Sequence, residues 1–171
     1  MKFVILILSF VGFLALSPIS LANTENEQTY TIYLVRHAEK QAEQKNPPLT
    51  ACGIKRAEQL ATILEQANIK QVYSTQTLRT EQTAAPLAKQ LSLGIISYSA
   101  DDLSLFAQQV KNAQINTLIV GHSNTTPQLT ALVASTPVAD ITEAEYQMLY
   151  QVHFQGNNAQ LTLLKQPLVC Q

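Results

Sequence analysis

Short β-branched and apolar runs alternate with segments of helical period along most of this chain, and that alternation constrains its fold more than any other feature. "TIYLV" predicts a strand at about Tyr30 to Val35. Ile54, Ala57, Leu60, Ala61 and Leu64 then recur at helical spacing, predicting an amphipathic helix from Ala51 to about Gln66 with Thr50 as N-cap. "QVYST", Gln71 to Thr75, predicts a second strand. "LRTEQTAAPLAKQL" predicts a helix that Pro86 either kinks or divides. "LGIISYS" predicts a third short strand. Asp101-Asp102 offers N-cap chemistry for a helix of about Leu103 to Asn112. "INTLIVG" is the clearest buried strand, ending at Gly121. "TTPQLTALVAS" predicts a further helix, with Thr126 as N-cap and Pro127 at its first position. The closing "MLYQVHFQGNNAQLTLLKQ" reads as two strands joined across Gly156-Asn157-Asn158.

Strands that alternate with helices pair in parallel through crossover connections, so the expectation is an α/β domain. Its form would be a three-layer α/β/α sandwich with a mostly parallel sheet and an antiparallel C-terminal hairpin at the edge. Met1 to Ala22 reads as an export signal: Lys2 is the positive region, "FVILILSFVGFLAL" the apolar core, and Ser20-Leu21-Ala22 supplies small residues for cleavage. The alternative is an uncleaved anchor, which the 14-residue apolar run from Phe3 to Leu16 is too short to form. Residues 23–171 then make one domain of ordinary size, periplasmic or secreted and without a stable membrane anchor. After Ala22 the chain carries ten basic and twelve acidic residues, a balance with no electrostatic footprint for nucleic acid. Cys52 and Cys170 are the two cysteines; in an oxidising compartment they either pair or remain two thiols. No oligomeric state is read from the sequence.

In open α/β sheets the ligand crevice lies beyond the carboxyl ends of the strands. Arg36-His37 leaves the first strand there, Gly121-His122 leaves the buried "NTLIV" strand, and Arg79 follows the "VYST" strand. Guanidiniums offer planar forks of donors matched to phosphate oxygens, and a neutral imidazole is a competent nucleophile. The chemistry suggested is phosphoryl transfer to histidine, with Arg36, Arg79 and a cationic His122 stabilising the transferred group. A metal held by His37 and His122 is the natural competitor. Two arginine charges would oppose it, and no H-x-x-H or C-x-x-C spacing accompanies the histidines. Neither metal nor cofactor is therefore expected. Each residue alone has a plainer reading: a loop histidine, a helix-surface Arg79, and for His153 a structural place on the hairpin's other face.

Four stretches together resemble the histidine phosphatase superfamily, also called phosphoglycerate mutase-like. They are "LVRHAEK", "PPLTACGIKRAEQLA", "VYSTQTLRTEQTA" and "VGHSNTTPQL", in that order. The resemblance implies that His37 is the nucleophile that becomes phosphohistidine, that Arg36, Arg79 and His122 form the phosphate pocket, and that Ser123 or Asn124 lines its rim. The proton donor stays open among Asp101 and Asp102, for which a helix cap is the plainer reading, and Glu39, for which a solvated pair with Lys40 is the alternative. The family's alternative His-Asp pair is absent, because Ser123 follows His122. The function implied is a metal-independent phosphomonoesterase acting on a small extracytoplasmic phosphorylated substrate. A mutase is disfavoured by export, as is a cytosolic protein-phosphohistidine phosphatase. The alternative of another class is a non-catalytic phosphate-binding or interaction module of the same fold.

Overall fold

The computed structural model describes residues 28–42 and 45–169. The expected export signal and Cys170 lie outside these residues. The chain runs β1 (Thr29–Arg36), α1 (Ala51–Leu64), β2 (Gln71–Ser74), α2 (Leu78–Gln90), β3 (Ile95–Ser97), α3 (Leu103–Ala113), β4 (Thr117–Gly121), α4 (Thr125–Ala134), β5 (Met148–Gln155) and β6 (Asn158–Lys165). The strands form one sheet in the order β3-β2-β4-β1-β5-β6. β3, β2, β4 and β1 pair in parallel, while β5 and β6 add antiparallel. This is the three-layer arrangement that the alternation of elements predicts.

Two apolar layers flank the sheet. On one face Ile32, Leu34 and Ile119 pack with Phe106 and Val110 of α3 and Leu129 and Val133 of α4. On the other, Val35, Val72, Leu118 and Val120 pack with Leu60 and Leu64 of α1 and Leu87 of α2. Alternation along β1 sends Ile32 and Leu34 one way and Val35 the other, as the period of two requires. A strand buried on both faces has no polar side chain to spare until it ends. The first positions that can face a ligand are Arg36 and His37.

Several local expectations need correction. Ile54 is exposed, and the buried stripe of α1 is Gly53, Arg56, Ala57, Leu60, Ala61 and Leu64. Arg56 takes a buried place because the Glu39 carboxylate pairs with its guanidinium, at 2.6 Å from Nη2 and 2.9 Å from Nε. Pro86 does not divide α2, which runs unbroken from Leu78 to Gln90. α4 starts two residues earlier than predicted, with Asn124 at the N-cap and Pro127 in its third position. Pro127 is tolerated there because the first four N–H groups of a helix have no intrahelical acceptor. The hairpin turns on Gly156, whose φ of 56° suits the first central position of a two-residue turn; Gln155 and Asn158 face each other across it. His153 sits on that hairpin with its Nδ1 3.0 Å from Thr31 Oγ1, a structural contact. Cys52, on α1, is disulfide-bonded.

Candidate active site

The parallel register of β1 and β4 sets Arg36 beside Gly121, and His37 N donates to Gly121 O at 2.9 Å. The two histidines therefore leave adjacent strands at one level, and their rings meet edge to face with centroids 5.6 Å apart. Gly121 is required where the strand turns away: a Cβ there would lie 2.9 Å from both Thr126 Oγ1 and Tyr98 Oη. His122 N donates to Thr125 Oγ1 at 3.0 Å, closing the turn into α4.

The protonation of each ring follows from its partners. His37 Nδ1 lies 2.8 Å from Ala38 O, an acceptor, so Nδ1 carries the proton and Nε2 keeps its lone pair. His122 Nε2 lies 2.9 Å from Thr75 Oγ1. The Thr80 hydroxyl donates to the carbonyl of Thr75 or Thr77, at 2.8 and 2.9 Å, so its oxygen accepts from Thr75 Oγ1 at 3.1 Å. With its own proton committed, Thr75 Oγ1 accepts from His122 Nε2–H. The remaining His122 nitrogen, Nδ1, faces Arg79 Nη2 at 3.4 Å.

Both imidazoles are neutral in the free protein. Burial pushes His37 down to about 3, against the Ala38 hydrogen bond and with help from the charges of Arg36, Arg79 and His122. Burial likewise pushes His122 down to about 4, with Arg79 and then Arg36 adding to it and Glu143 opposing. The cationic His122 expected from the sequence thus requires an anion to arrive. Burial and the neighbouring Arg36 also depress Arg79. A cluster in which cations depress one another favours an anion in its midst.

Arg36 is fixed from several sides. Its Nη1 donates to Thr142 O at 2.9 Å and Glu145 O at 3.2 Å, its Nη2 meets Glu143 Oε2 at 2.6 Å, and Tyr146 lies against it with the ring centroid 4.1 Å from Cζ. The Nε atoms of Arg36 and Arg79 are buried with no hydrogen-bond partner. Orphaned donors on two guanidiniums of a cluster that also holds a free imidazole lone pair suit a tetrahedral oxyanion. Thr83 steadies the frame: its hydroxyl donates to Arg79 O at 2.7 Å and accepts from Ala38 N at 2.9 Å.

Of the rim residues, Ser123 donates its hydroxyl to Glu143 Oε1, and Asn124 serves as the N-cap of α4. The three acids considered as proton donors have other partners. Glu39 is held by Arg56, Asp101 accepts from Ser99 Oγ at 2.7 Å, and Asp102 caps α3 through Leu105 N at 2.9 Å. Thr75, Glu143 and Tyr146 were not anticipated. Thr75 ends the "VYST" stretch and was legible as a strand terminus, whereas Glu143 and Tyr146 lie in an irregular segment with no periodic signal. Among the described residues, no group of three or more His, Cys, Asp and Glu is placed to hold a metal ion. No described helix is long and apolar enough to cross a membrane.

Residues 32–102, which include Arg36, His37 and Arg79, match the family model of the histidine phosphatase superfamily (branch 1). Solved structures share the fold over most of their length. A tungstate complex of the protein histidine phosphatase SixA superposes with a TM-score of 0.65 at 19% identity, covering 79% of this chain and 96% of that one. The alpha-ribazole phosphatase from Shigella flexneri gives 0.66 at 17% identity, with the same coverages of 79% and 96%. A mycobacterial glucosyl-3-phosphoglycerate phosphatase gives 0.61 at 13%, covering 80% and 98%. No curated protein sequence matches the chain. The family match runs from β1 to the residues just before α3, and the fold shared with these solved structures extends beyond it.

Proposed function

We propose that this chain is a phosphomonoesterase that needs no metal and works through phosphohistidine at His37, on a small phosphorylated substrate outside the cytoplasm. The observation that carries this reading is the His37 tautomer. Nδ1–H is committed to Ala38 O, which leaves the Nε2 lone pair beside Arg36, Arg79 and His122. In this reading the orphaned Nε donors of both arginines bind the phosphoryl oxygens, and the anion's charge draws a proton onto His122 Nδ1. His37 Nε2 attacks phosphorus in line with the departing oxygen, and water then attacks the phosphohistidine. The arginines supply the positive charge that a divalent ion would otherwise bring.

A cleft of about 370 Å³ opens beside His122, lined by Thr75, Gln76, Ser97, Tyr98 and Ser99. Its hydroxyl and amide groups carry no charge, which suits an uncharged polar part of the substrate. The neighbours' named substrates, a phosphoprotein histidine, alpha-ribazole phosphate and a glucosyl phosphoglycerate, share only the phosphate, and Arg36, His37 and Arg79 lie within the residues that match the family model. Export, read from residues 1–22, supports an extracytoplasmic substrate.

The test is hydrolysis of 4-nitrophenyl phosphate by the purified chain in EDTA, alongside His37→Ala. Turnover that survives the chelator and disappears in the variant is expected. Turnover that persists in His37→Ala would remove the nucleophile assignment. Absence of turnover, with phosphate affinity that depends on Arg36 and Arg79, would instead identify a binding module.

A further inference from the structure

Cleaving an unactivated phosphate ester requires a proton at the leaving oxygen, and the acids considered from the sequence are committed to Arg56, Ser99 and the cap of α3. The fold brings a different carboxylate onto the cluster. Glu143 lies between α4 and β5 in the chain and meets two donors of the cluster: Arg36 Nη2 at 2.6 Å and Ser123 Oγ. We infer that Glu143 is the proton-transfer residue of the site. This rests on the phosphatase reading above.

Three features support the assignment. The backbone around Glu143 is anchored, because Thr142 N and Oγ1 donate to Glu145 Oε2 at 2.8 and 3.0 Å while Arg36 holds the carbonyls of Thr142 and Glu145. The Glu143 side chain is 74% exposed, so it turns toward the rim without moving that backbone. Its carboxylate also raises His122 electrostatically.

An incoming phosphoryl group takes over the Arg36 and Ser123 donors and displaces the carboxylate to the rim, where the leaving oxygen lies. There Glu143 has lost its cation and faces the substrate's negative charge, and it takes a proton from solvent or from the substrate monoanion. As the His37 Nε2–P bond forms and the ester P–O bond breaks, that proton passes to the leaving oxygen. In the second step a water oxygen bonds to phosphorus, the P–Nε2 bond breaks, and the water proton returns to the Glu143 carboxylate. Atoms and charge balance over the cycle, with no co-reactant but water.

The experiment compares wild type with Glu143→Gln on 2,4-dinitrophenyl, 4-nitrophenyl and phenyl phosphate, with His37→Ala as the reference for lost chemistry. Dinitrophenolate leaves without a proton; phenolate needs one. The expected result is a loss of about a hundredfold or more in kcat/KM on phenyl phosphate, with less than about tenfold on the dinitrophenyl ester. Retained turnover of the dinitrophenyl ester also shows that the variant is folded. A loss equal across the three esters, no loss, or a gain on all three would overturn the assignment, the gain showing that the carboxylate merely occludes the phosphate donors. If wild type hydrolyses none of the esters, the phosphatase reading itself falls and takes this one with it.

Discussion

Glu39 follows Arg36-His37 in the chain and Glu143 bonds Arg36 across the fold, and their partners separate their roles. Glu39 is bound through both carboxylate oxygens to Arg56, itself buried, so it neutralises a guanidinium inside the domain and ties the loop after β1 to α1. Removing one partner of such a pair leaves an uncompensated charge. Glu39→Gln is expected to lower unfolding free energy by about 1–3 kcal/mol in urea titrations while leaving the dependence of kcat/KM on leaving group unchanged. A selective loss on phenyl phosphate in that variant would move the proton-transfer role from Glu143 to Glu39. Arg36, His37, Arg79 and His122 were legible in the sequence because each follows a strand at the end where an α/β sheet opens, and local pattern suffices to find strand ends. Arg56 and Glu143 were not. Arg56 looks like any helix arginine until its partner 17 residues away is known, and Glu143 meets Ser123 and Arg36 only through the fold.

At the scale of elements, α1 shows how closely the scaffold must approach the nucleophile. Thr50 caps the helix through Gly53 N at 3.0 Å, and its own N–H donates to Glu39 O at 2.8 Å, so the helix start and the loop after His37 are joined. Gly53 faces that loop, and a Cβ on it would fall well inside contact distance of the Glu39 carbonyl. Helix propensity alone favours alanine there by about 1 kcal/mol. Backbone cannot yield as a flexible side chain can, so Gly53→Ala is expected to destabilise by about 1–3 kcal/mol and to reduce turnover; a thermal or urea midpoint above wild type would show that the close approach has slack. Element types were legible throughout, because period and cap chemistry are local. The start of α4 was not, since Thr125 is drawn into the helix by bonding His122 N, and the apolar stripe of α1 was misread at Ile54 because burial of Arg56 depends on a distant carboxylate.

For the whole molecule, the neutral histidines tie folding to pH. An unfolded chain protonates histidine near 6.5, whereas the folded protein holds His37 neutral down to about 3 and His122 down to about 4. Between these limits the unfolded state binds more protons, so stability rises with pH, and acidification removes it. His37 is buried, and each pH unit below 6.5 costs up to about 1.4 kcal/mol on its account; the more open His122 adds less. Glu143, held below its ordinary value first by Ser123, acts in the same direction at lower pH still. Taking the wild type from pH 7 to pH 5 should therefore lower its unfolding free energy by about 2 kcal/mol through His37. His37→Gln, which cannot be protonated, should show a correspondingly shallower loss in urea titrations at pH 5, 6 and 7. Parallel profiles would mean that the fold does not hold this imidazole neutral, and the free lone pair on which nucleophilic attack depends would lose its physical basis.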